Sequence, residues 1–434
     1  MTRSPSPAPL AASRQPGFAA LGVPASIVAA LDRQSITEPF PIQSRTLPDS
    51  LAGRDILARG VTGSGKTLAF AIPTVMALAA SGRTKPGRPR ALILVPTREL
   101  AAQVAAVLTP LAAALRLSCA TVFGGVAQSR QVAALRSGVD ILIACPGRLE
   151  DLIAQRACSL ADVQVTVLDE ADHMVDLGFL PAVRRLLDAT PDGGQRMLFS
   201  ATLDNSIDAV VRRYLHDPRV CAITPAPSEA TEVVHHLLAV TTVDKGAVVR
   251  EVARHATRAV LFTRTKRGAQ KLAGQLRLAG IEARELHGNL SQPARQRNLG
   301  AFADGSATVL VATDIAARGI HVDNIDLVLH VDPPMEHKAY VHRSGRTARA
   351  GATGVVATLM TPDQASDVHR LTRAAGITAT MTKVTAAHPL LASLSVSTAP
   401  AGEPRPAPPH RPSNTRSNRP RRRGREQRPA ARLG

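Results

Sequence analysis

The sequence predicts an α/β protein with two domains, each built on a mainly parallel β-sheet that is flanked by helices. The 434 residues allow about three units at roughly 150 residues per domain. Short runs of β-branched and aliphatic residues alternate with helix-length segments rich in Ala, Leu and Arg. These runs are almost continuously apolar, as expected for parallel strands that are covered on both faces.

Eight of these runs are strand candidates, five in the first domain and three in the second. A helical segment is expected to start at Leu68, after the first strand and a glycine-rich turn. The candidates are Asp55–Ala58, Ala91–Val95, Asp140–Ala144, Val163–Leu168, Arg196–Phe199, Ala259–Thr263, Thr308–Thr313 and Leu327–His330.

Changes in composition mark the expected domain boundaries. The first domain is predicted at 18–223 and the second at 233–392, with a Pro-containing linker at 224–232. Residues 1–17 are rich in Pro, Ser and Ala, and residues 393–434 are rich in Arg. Both ends are expected to be disordered because such compositions cannot bury a core.

Composition excludes three classes of protein. There is no apolar run of 18 or more residues, so no membrane-spanning helix is expected. The N-terminus has no apolar core of a signal peptide. Because the cysteines show no C-x-x-C pairing, neither zinc nor a disulfide framework is expected, and a reduced, cytoplasmic protein fits best. The four cysteines are Cys119, Cys145, Cys158 and Cys221.

The charge balance indicates a polyanionic partner. Lys and Arg total 53 against 34 Asp and Glu, a net charge of +19. Nucleic acid is favoured over an anionic membrane because no amphipathic basic helix stands out. Residues 401–434 alone hold ten arginines against Glu403 and Glu426. The alternative interpretation is that the excess charge only keeps the protein soluble.

The segment Gly60–Thr67 (GVTGSGKT) fits the phosphate-binding pattern G-x-x-x-x-G-K-[ST]. It lies between a strand candidate and a helical segment, as that pattern requires. Glycines let backbone N–H groups converge on phosphate oxygens, and the helix N-terminus attracts the same anions. The predicted phosphate-binding residues are Gly63, Ser64, Gly65 and Lys66, and the Thr67 hydroxyl is predicted to ligate Mg²⁺.

An acidic segment, Asp-Glu-Ala-Asp at 169–172, follows the strand candidate Val163–Leu168. Acids at this position lie at the carboxyl edge of the sheet, where open α/β proteins bind ligands. Asp169 is predicted to hold Mg²⁺ through water. Glu170 is predicted to orient and deprotonate an attacking water. The alternative is an acidic helix cap with a solvated face.

Together with Lys66–Thr67, the Asp-Glu-Ala-Asp segment resembles the DEAD-box family of ATP-dependent RNA helicases. Further matches run in the family's order over roughly Phe18 to Met360, and His342 favours the DEAD over the DEAH branch. The resemblance implies two tandem RecA-like domains, ATP and Mg²⁺ as cofactors, and RNA as partner. The matching segments include Pro96–Ala101, Gly124–Gly125, Pro146–Arg148, Ser200–Thr202, Leu261–Thr265, Ala312–Gly319 and His342–Arg349.

The resemblance assigns further ATP contacts. Gln43 would pair with the adenine edge through its amide, and Phe18 would stack on the ring; the alternatives are a satisfied polar residue and a core Phe. Asp314 would contact the ribose, and the backbone of Gly319 would approach the γ-phosphate. The arginine fingers would be Arg346 and Arg349, which share one face if that segment is helical.

The resemblance also implies RNA-binding and coupling residues. The RNA contacts are expected to go to the sugar-phosphate backbone, which positions a strand without reading its sequence. Caps, turns and surface arginines are the structural alternatives at each position. The implied RNA-binding residues are Thr97, Arg98, Gly125, Arg148, Arg264, Gln292, Arg295 and Thr313, and Ser200 and Thr202 would couple hydrolysis to strand separation.

Several positions depart from the family pattern. Phe40 stands where the family has a small hydroxyl residue, and Ser35–Ile36 replace a Gly–aromatic pair, so looser adenine selectivity is expected. Cys145 replaces a Thr and removes a good hydroxyl donor. His321 replaces an acid, so an interdomain ion pair is expected to be missing or pH-dependent.

The predicted function is therefore an ATP-dependent RNA helicase that couples hydrolysis to local unwinding or to remodelling of RNA–protein complexes. A second hypothesis is an RNA-binding or annealing protein in which the ATPase is a clamp and the basic tail binds RNA. A third is that DNA is the substrate. Which RNA is remodelled, and with which protein partners, does not follow from the sequence.

Overall fold

In the computed structural model, residues 16–60, 63–202, 205–222, 233–317, 322, 324–348 and 353–395 are described. Within these ranges, fourteen strands form two seven-stranded sheets. Within each sheet, every pairing between neighbouring described strands is parallel. The predicted class, two α/β domains with mainly parallel sheets, is confirmed.

The first sheet has the strand order β3-β4-β2-β5-β6-β1-β7. A single 3₁₀ turn at Phe18–Leu21 precedes the helices of this domain. The strands are β1 (Ile56–Arg59), β2 (Ala91–Leu94), β3 (Cys119–Val122), β4 (Ile141–Ala144), β5 (Val165–Leu168), β6 (Gln195–Ser200) and β7 (Arg219–Ala222). The helices are α1 (Ala25–Asp32), α2 (Pro41–Leu51), α3 (Lys66–Ala79), α4 (Arg98–Ala114), α5 (Gln128–Arg136), α6 (Pro146–Ala154), α7 (Ala171–Asp176), α8 (Leu180–Asp188) and α9 (Asn205–Tyr214).

The second sheet has the order β10-β11-β9-β12-β13-β8-β14, which matches the first sheet position by position. Its strands are β8 (Val233–Ala239), β9 (Ala259–Phe262), β10 (Ala283–Leu286), β11 (Val309–Ala312), β12 (Leu327–His330), β13 (Gly354–Met360) and β14 (Thr380–Lys383). The helices are α10 (Lys245–His255), α11 (Lys266–Leu278), α12 (Gln292–Ala303), α13 (Asp314–Ala317), α14 (His337–Ser344), α15 (Ala365–Ala374) and α16 (Leu390–Ser393), with a 3₁₀ turn at Pro362–Gln364.

Both faces of the central strands are buried, which explains their continuous apolar runs. In β2, Ile93 packs into one hydrophobic cluster and its neighbours Leu92 and Leu94 pack into another. In β9, Leu261 packs into one hydrophobic cluster and Phe262 packs into another. Because successive side chains of a strand point to opposite faces, helices cover each sheet on both sides.

All eight strand candidates coincide with observed strands, with small shifts at their ends. The helix after the phosphate loop begins at Lys66 rather than at the predicted Leu68. The pattern does not predict the edge strands β7 and β14, most of whose residues are exposed. The linker 224–232 and most of the two terminal segments lie outside the described residues. None of the described helices has the length and apolar character that crossing a membrane requires.

Candidate functional site

The phosphate loop ends at the N-terminus of α3. Gly63 and Gly65 have φ angles of 89° and 85°, in the left-handed region that favours glycine. A Cβ on Gly65 would lie 2.5 Å from Gln43 Nε2, so a larger residue does not fit there. Lys66 is 7% exposed, and its Nζ donates to the Gly60 carbonyl at 2.8 Å. The predicted lysine is therefore held inside the loop, with Thr67 in the same helical turn.

In the structure, Phe18 is a core residue, and Gln43 is a buried polar residue whose amide is hydrogen-bonded within the protein. Phe18 is 2% exposed and belongs to the hydrophobic core. Gln43 is fully buried; its Nε2 donates to the Gly65 carbonyl at 2.8 Å, and its Oε1 accepts from the Phe40 backbone N–H at 2.9 Å. The glutamine thus ties α2 to the phosphate loop. One N–H and one lone pair of its amide remain for a base edge.

The departures from the family pattern have visible consequences. Phe40 is 53% exposed, beside Gly65 of the phosphate loop. Ser35 has a φ of 60°, the left-handed conformation in which glycine carries no steric penalty. Cys145 is the N-cap of α6 but makes no side-chain capping bond, and burial raises the pKa of its thiol to about 12. His321 lies outside the described residues.

Asp169 lies directly after β5 and is 3% exposed. The pKa of this carboxyl is raised to about 7, mainly by burial and also by the neighbouring acids Glu170 and Asp172, against the lowering effect of Lys66. A divalent cation would add to the single positive charge of Lys66 and stabilise the ionised form of this buried carboxyl. Mg²⁺ is commonly held by one or two carboxylates together with substrate phosphates, so Asp169 and Thr67 fit such a site.

Glu170 is the N-cap of α7 and has a left-handed backbone, with φ 51° and ψ 52°. Its Oε2 lies 3.0 Å from Nδ1 of His173, and the exposed fractions of the two side chains are 9% and 8%. This backbone conformation costs energy for a non-glycine residue, and such strain is concentrated at active sites and switch regions. The sequence analysis did not single out His173, which follows the Asp-Glu-Ala-Asp segment directly.

Asp172 connects the acidic segment to the predicted coupling residues. Its Oδ2 accepts hydrogen bonds from the backbone N–H of Thr202 at 2.9 Å and from the Thr202 hydroxyl at 3.0 Å. The Ser200 hydroxyl accepts from the backbone N–H of Asp172 at 3.3 Å and donates to the Thr202 carbonyl at 2.7 Å. A displacement of this segment therefore moves the acids as well.

Residues from both domains line one cavity. Lys66, Glu170 and His173 come from the first domain, and His342 and Arg346 come from the second. His342 Nδ1 lies 3.6 Å from Asp176 Oδ2. The structure therefore brings the predicted water-activating acid and one predicted arginine finger to the same cavity, although they are far apart in the sequence.

The other predicted residues of the second domain are placed differently. Helix α14 ends at Ser344, and Arg346 lies in the turn that follows it. Arg346 is therefore not on a helix, as it would have to be to share a helical face with Arg349. Arg349 and Gly319 lie outside the described residues. Asp314 accepts two hydrogen bonds from the Arg343 guanidinium, one at 2.8 Å. A ribose would share this carboxylate with Arg343, whose role the sequence analysis did not predict.

The predicted RNA-binding residues of the first domain lie near one another. Thr97 caps α4 by accepting from the Leu100 N–H at 3.2 Å. The guanidinium of Arg98 covers the backbone of Gly125, whose φ is 75°. Arg148 donates to the carbonyl of Val126, the residue after Gly125, at 3.4 Å. This edge holds backbone and guanidinium donors suited to phosphates.

Two predicted RNA-binding residues of the second domain join this edge. Arg98 donates to Gln292 Oε1 at 3.3 Å, and Arg295 Nε donates to Glu99 at 2.7 Å. Thr313 is buried, with its backbone N–H bonded to the Leu286 carbonyl. Arg264 instead lines a groove of about 570 Å³ with Met335 and Arg370 and is not brought to the Arg98 contacts. The sequence analysis missed Glu99, although it lies within the quoted Pro96–Ala101 segment.

Fold and site together define a two-domain P-loop protein of the RecA-like type. Residues 40–210 match the DEAD/DEAH box helicase family model, and residues 244–351 match the helicase conserved C-terminal domain. The chain is 38% identical over 345 residues to the ATP-dependent RNA helicase RhlB of Vibrio parahaemolyticus, covering 78% of this chain and 79% of that protein. The chain belongs to the DEAD-box helicase family.

Other relatives and solved structures extend this comparison. The chain is 42% identical over 368 residues to the chloroplastic DEAD-box ATP-dependent RNA helicase 3B of Zea mays, covering 83% of this chain and 49% of that relative, and so spans about half of its length. The structure of S. cerevisiae Dbp5 bound to RNA and ADP BeF3 is similar, with a TM-score of 0.73, 25% identity, and coverage of 87% and 99%. Mss116p bound to ssRNA and AMP-PNP gives a TM-score of 0.74 at 26% identity, with coverage of 86% and 80%.

Proposed function

We propose that this protein is an ATP-dependent RNA helicase that holds the RNA backbone with both domains and couples ATP hydrolysis to local duplex unwinding or remodelling of RNA–protein complexes. The observation that carries the proposal is the cavity lined by Lys66 and Glu170 from one domain and Arg346 from the other. Related helicases of known structure bind RNA together with a nucleotide analogue. The domain limits 18–223 and 233–392 and a cytoplasmic location belong to the same proposal.

In the proposed nucleotide site, the loop residues Gly63, Ser64 and Gly65 contact the phosphates. When ATP binds, Lys66 Nζ donates to phosphate oxygens instead of to the Gly60 carbonyl. Mg²⁺ would be held by Asp169 and Thr67, where it neutralises phosphate charge. Gln43 hydrogen-bonds the adenine base through the amide N–H and the oxygen lone pair that are not bonded to Gly65 and Phe40. Phe18, Asp314 and Gly319 complete the nucleotide contacts in this proposal.

The proposed reaction is an in-line displacement by water. The water oxygen bonds to the γ-phosphorus, the bond to the bridging oxygen breaks toward ADP, and the proton of the water passes to Glu170. Arg346 and Arg349 stabilise the charge on the transferring group. In GTPases such arginine fingers contribute about 10³–10⁵ in rate. Since Arg346 belongs to the second domain, hydrolysis requires both domains in contact.

The proposed RNA-binding surface is formed by Arg98, Gly125, Arg148 and Gln292, which lie near one another. Arg295, Thr97 and Thr313 support this surface through their hydrogen bonds, and Arg264 adds a cation from the neighbouring groove. Because the contacts go to the backbone, little base preference is expected. The hydrogen bonds of Asp172 with Ser200 and Thr202 connect this machinery to the acids of the nucleotide site.

The proposal is tested by measuring ATP hydrolysis with no nucleic acid, with RNA and with DNA of the same sequence. RNA is expected to stimulate hydrolysis more than DNA. Glu170→Gln is expected to abolish turnover while retaining RNA in the presence of ATP. Equal rates with and without RNA, or normal turnover by Glu170→Gln, would contradict the proposal.

A second candidate function is RNA annealing by the basic C-terminal segment. Residues 401–434 carry ten arginines and two glutamates. Arg-rich segments bind single strands electrostatically, with a salt slope of about 0.7 per phosphate contacted. This activity would be independent of ATP, so an annealing assay without nucleotide separates it from the helicase.

A further inference from the structure

His173 and Glu170 form a buried pair beside the proposed reaction centre. The two residues are three apart, and Glu170 caps the helix whose first turns contain His173. The imidazole Nδ1 lies 3.0 Å from Glu170 Oε2, and both side chains are at least nine-tenths buried. Both side chains line the cavity that also contains Lys66 and Arg346.

The chemistry of this contact defines the tautomer of His173. An ionised carboxylate only accepts hydrogen bonds, so Nδ1 must carry the proton that it donates to Glu170. In a neutral imidazole the other nitrogen, Nε2, is then an acceptor without a proton. Among the residues that the structure describes, no hydrogen-bond partner is found for this buried Nε2. The only bond that orients the ring within the described residues is therefore the one to Glu170.

The pair differs from a surface ion pair, because both side chains are buried among other charged groups. Asp172, on the same helix, accepts hydrogen bonds from the backbone N–H groups of Ala201 and Thr202 and, within the described residues, forms no hydrogen bond with the His173 ring. The charged or titratable groups that line the same cavity are Lys66, Asp172, His342 and Arg346. Removing the Nδ1 donor would remove the 3.0 Å contact that orients Glu170 Oε2 among these groups.

We infer that His173 is a positioning residue for ATP hydrolysis: its Nδ1–H holds Oε2 of Glu170 so that the carboxylate faces the attacking water. This inference rests on the proposed function of Glu170 as the group that receives the proton of the water. His173 keeps its own proton throughout and makes no bond to the substrate. Its contribution is the orientation of the base, on which the rate depends steeply.

Three substitutions separate this role from simple packing. His173→Asn places an amide N–H where Nδ1 stands, His173→Gln places its amide near Nε2 instead, and His173→Leu retains volume without a donor. We expect His173→Leu and His173→Gln to lower kcat about 10–100-fold, by analogy with the loss of a group that orients a metal-ligating side chain. We expect the KM for ATP to change little and His173→Asn to recover most of kcat.

A matched control is available in the same chain. His255 contacts Glu251 at the same 3.0 Å distance, but its side chain is 39% exposed. His255→Leu is expected to leave kcat unchanged.

Wild-type kcat in His173→Leu, or equal recovery by Gln and Asn, would overturn the inference while leaving the helicase proposal intact. Absence of ATP hydrolysis by the wild-type protein would instead refute the proposed function itself. A measurement that needs no folded variant of His173 is the ¹⁵N spectrum of the imidazole in the wild-type protein. The Nδ1–H tautomer is expected for His173, and the Nε2–H tautomer would overturn the inference.

Discussion

Glu99 and Arg295 provide the sharpest test of how the two domains are joined. Glu99 lies on α4 and Arg295 on α12, and their ion pair of 2.7 Å has exposed side-chain fractions of 9% and 10%. Arg295 also donates to the carbonyls of His287 at 3.3 Å and Ala316 at 3.4 Å. Within the part of the chain that the structure describes, Glu99→Ala leaves the buried guanidinium with these two longer bonds.

The expected cost follows from the burial of the pair. Removing one partner of a buried ion pair costs roughly 3–5 kcal/mol, because the remaining charge is left uncompensated. The two carbonyl contacts of Arg295 favour the lower end of this range. Because about 1.4 kcal/mol corresponds to a factor of ten, the arrangement with the domains joined should be roughly 100-fold less populated. RNA and ATP both need that arrangement in the proposed mechanism, so each should bind less tightly in the presence of the other.

The assay is the affinity for fluorescently labelled RNA with a non-hydrolysable ATP analogue present, measured by anisotropy. Glu99→Ala is expected to weaken this affinity by roughly 100-fold. Asp367→Ala is the matched control, because Asp367 and Arg370 form an ion pair at the same 2.7 Å but are 66% and 77% exposed. Affinity within a factor of two of wild type for Glu99→Ala would refute the reasoning.

Three further predictions concern the base, the pH dependence and the tail. Gln43→Ala should reduce discrimination of ATP from GTP and raise the KM for both, since Gln43 also ties α2 to the phosphate loop; unchanged KM values would contradict this. His330 is buried, and desolvation holds its pKa well below 6.5, so the unfolded state binds its proton first and stability should fall as pH drops below about 6.5. Thermal unfolding between pH 7.5 and 5 should show this loss, and His330→Asn should reduce it; an identical slope in the variant would argue against the assignment. Deletion of 401–434 should abolish ATP-independent annealing at moderate salt and preserve RNA-stimulated hydrolysis, and annealing that persists would show that this segment is not its source.

The central strands could be predicted from sequence because their burial on both faces leaves continuous apolar runs, as in β2 and β9. Edge strands do not carry that signal: β14 consists of Thr380–Lys383 and is largely exposed. β13 (Gly354–Met360) does have an apolar run and could have been predicted by the same criterion. The phosphate loop was recognisable because its glycines and lysine are contiguous.

Side-chain partners that are distant in the chain were not predictable. Arg343 holds Asp314 across 29 positions, and Arg295 holds Glu99 across 196, with no local pattern that marks either pair. The sequence also left two roles open for Gln43, and the structure shows it bonded within the protein. His173 follows the acidic segment directly, but its burial and its 3.0 Å contact with Glu170, which distinguish it from a surface helix residue, are visible only in the structure.

The central claim is that two half-sites, one in each domain, meet around a single nucleotide. A crystal structure of the full chain with a non-hydrolysable ATP analogue and single-stranded RNA tests this claim most directly. The account predicts the Arg346 guanidinium within hydrogen-bonding distance, about 3 Å, of a γ-phosphate oxygen, opposite Lys66 and Glu170. A γ-phosphate that is open to solvent, with Arg346 remote from it while both ligands are bound, would contradict the account.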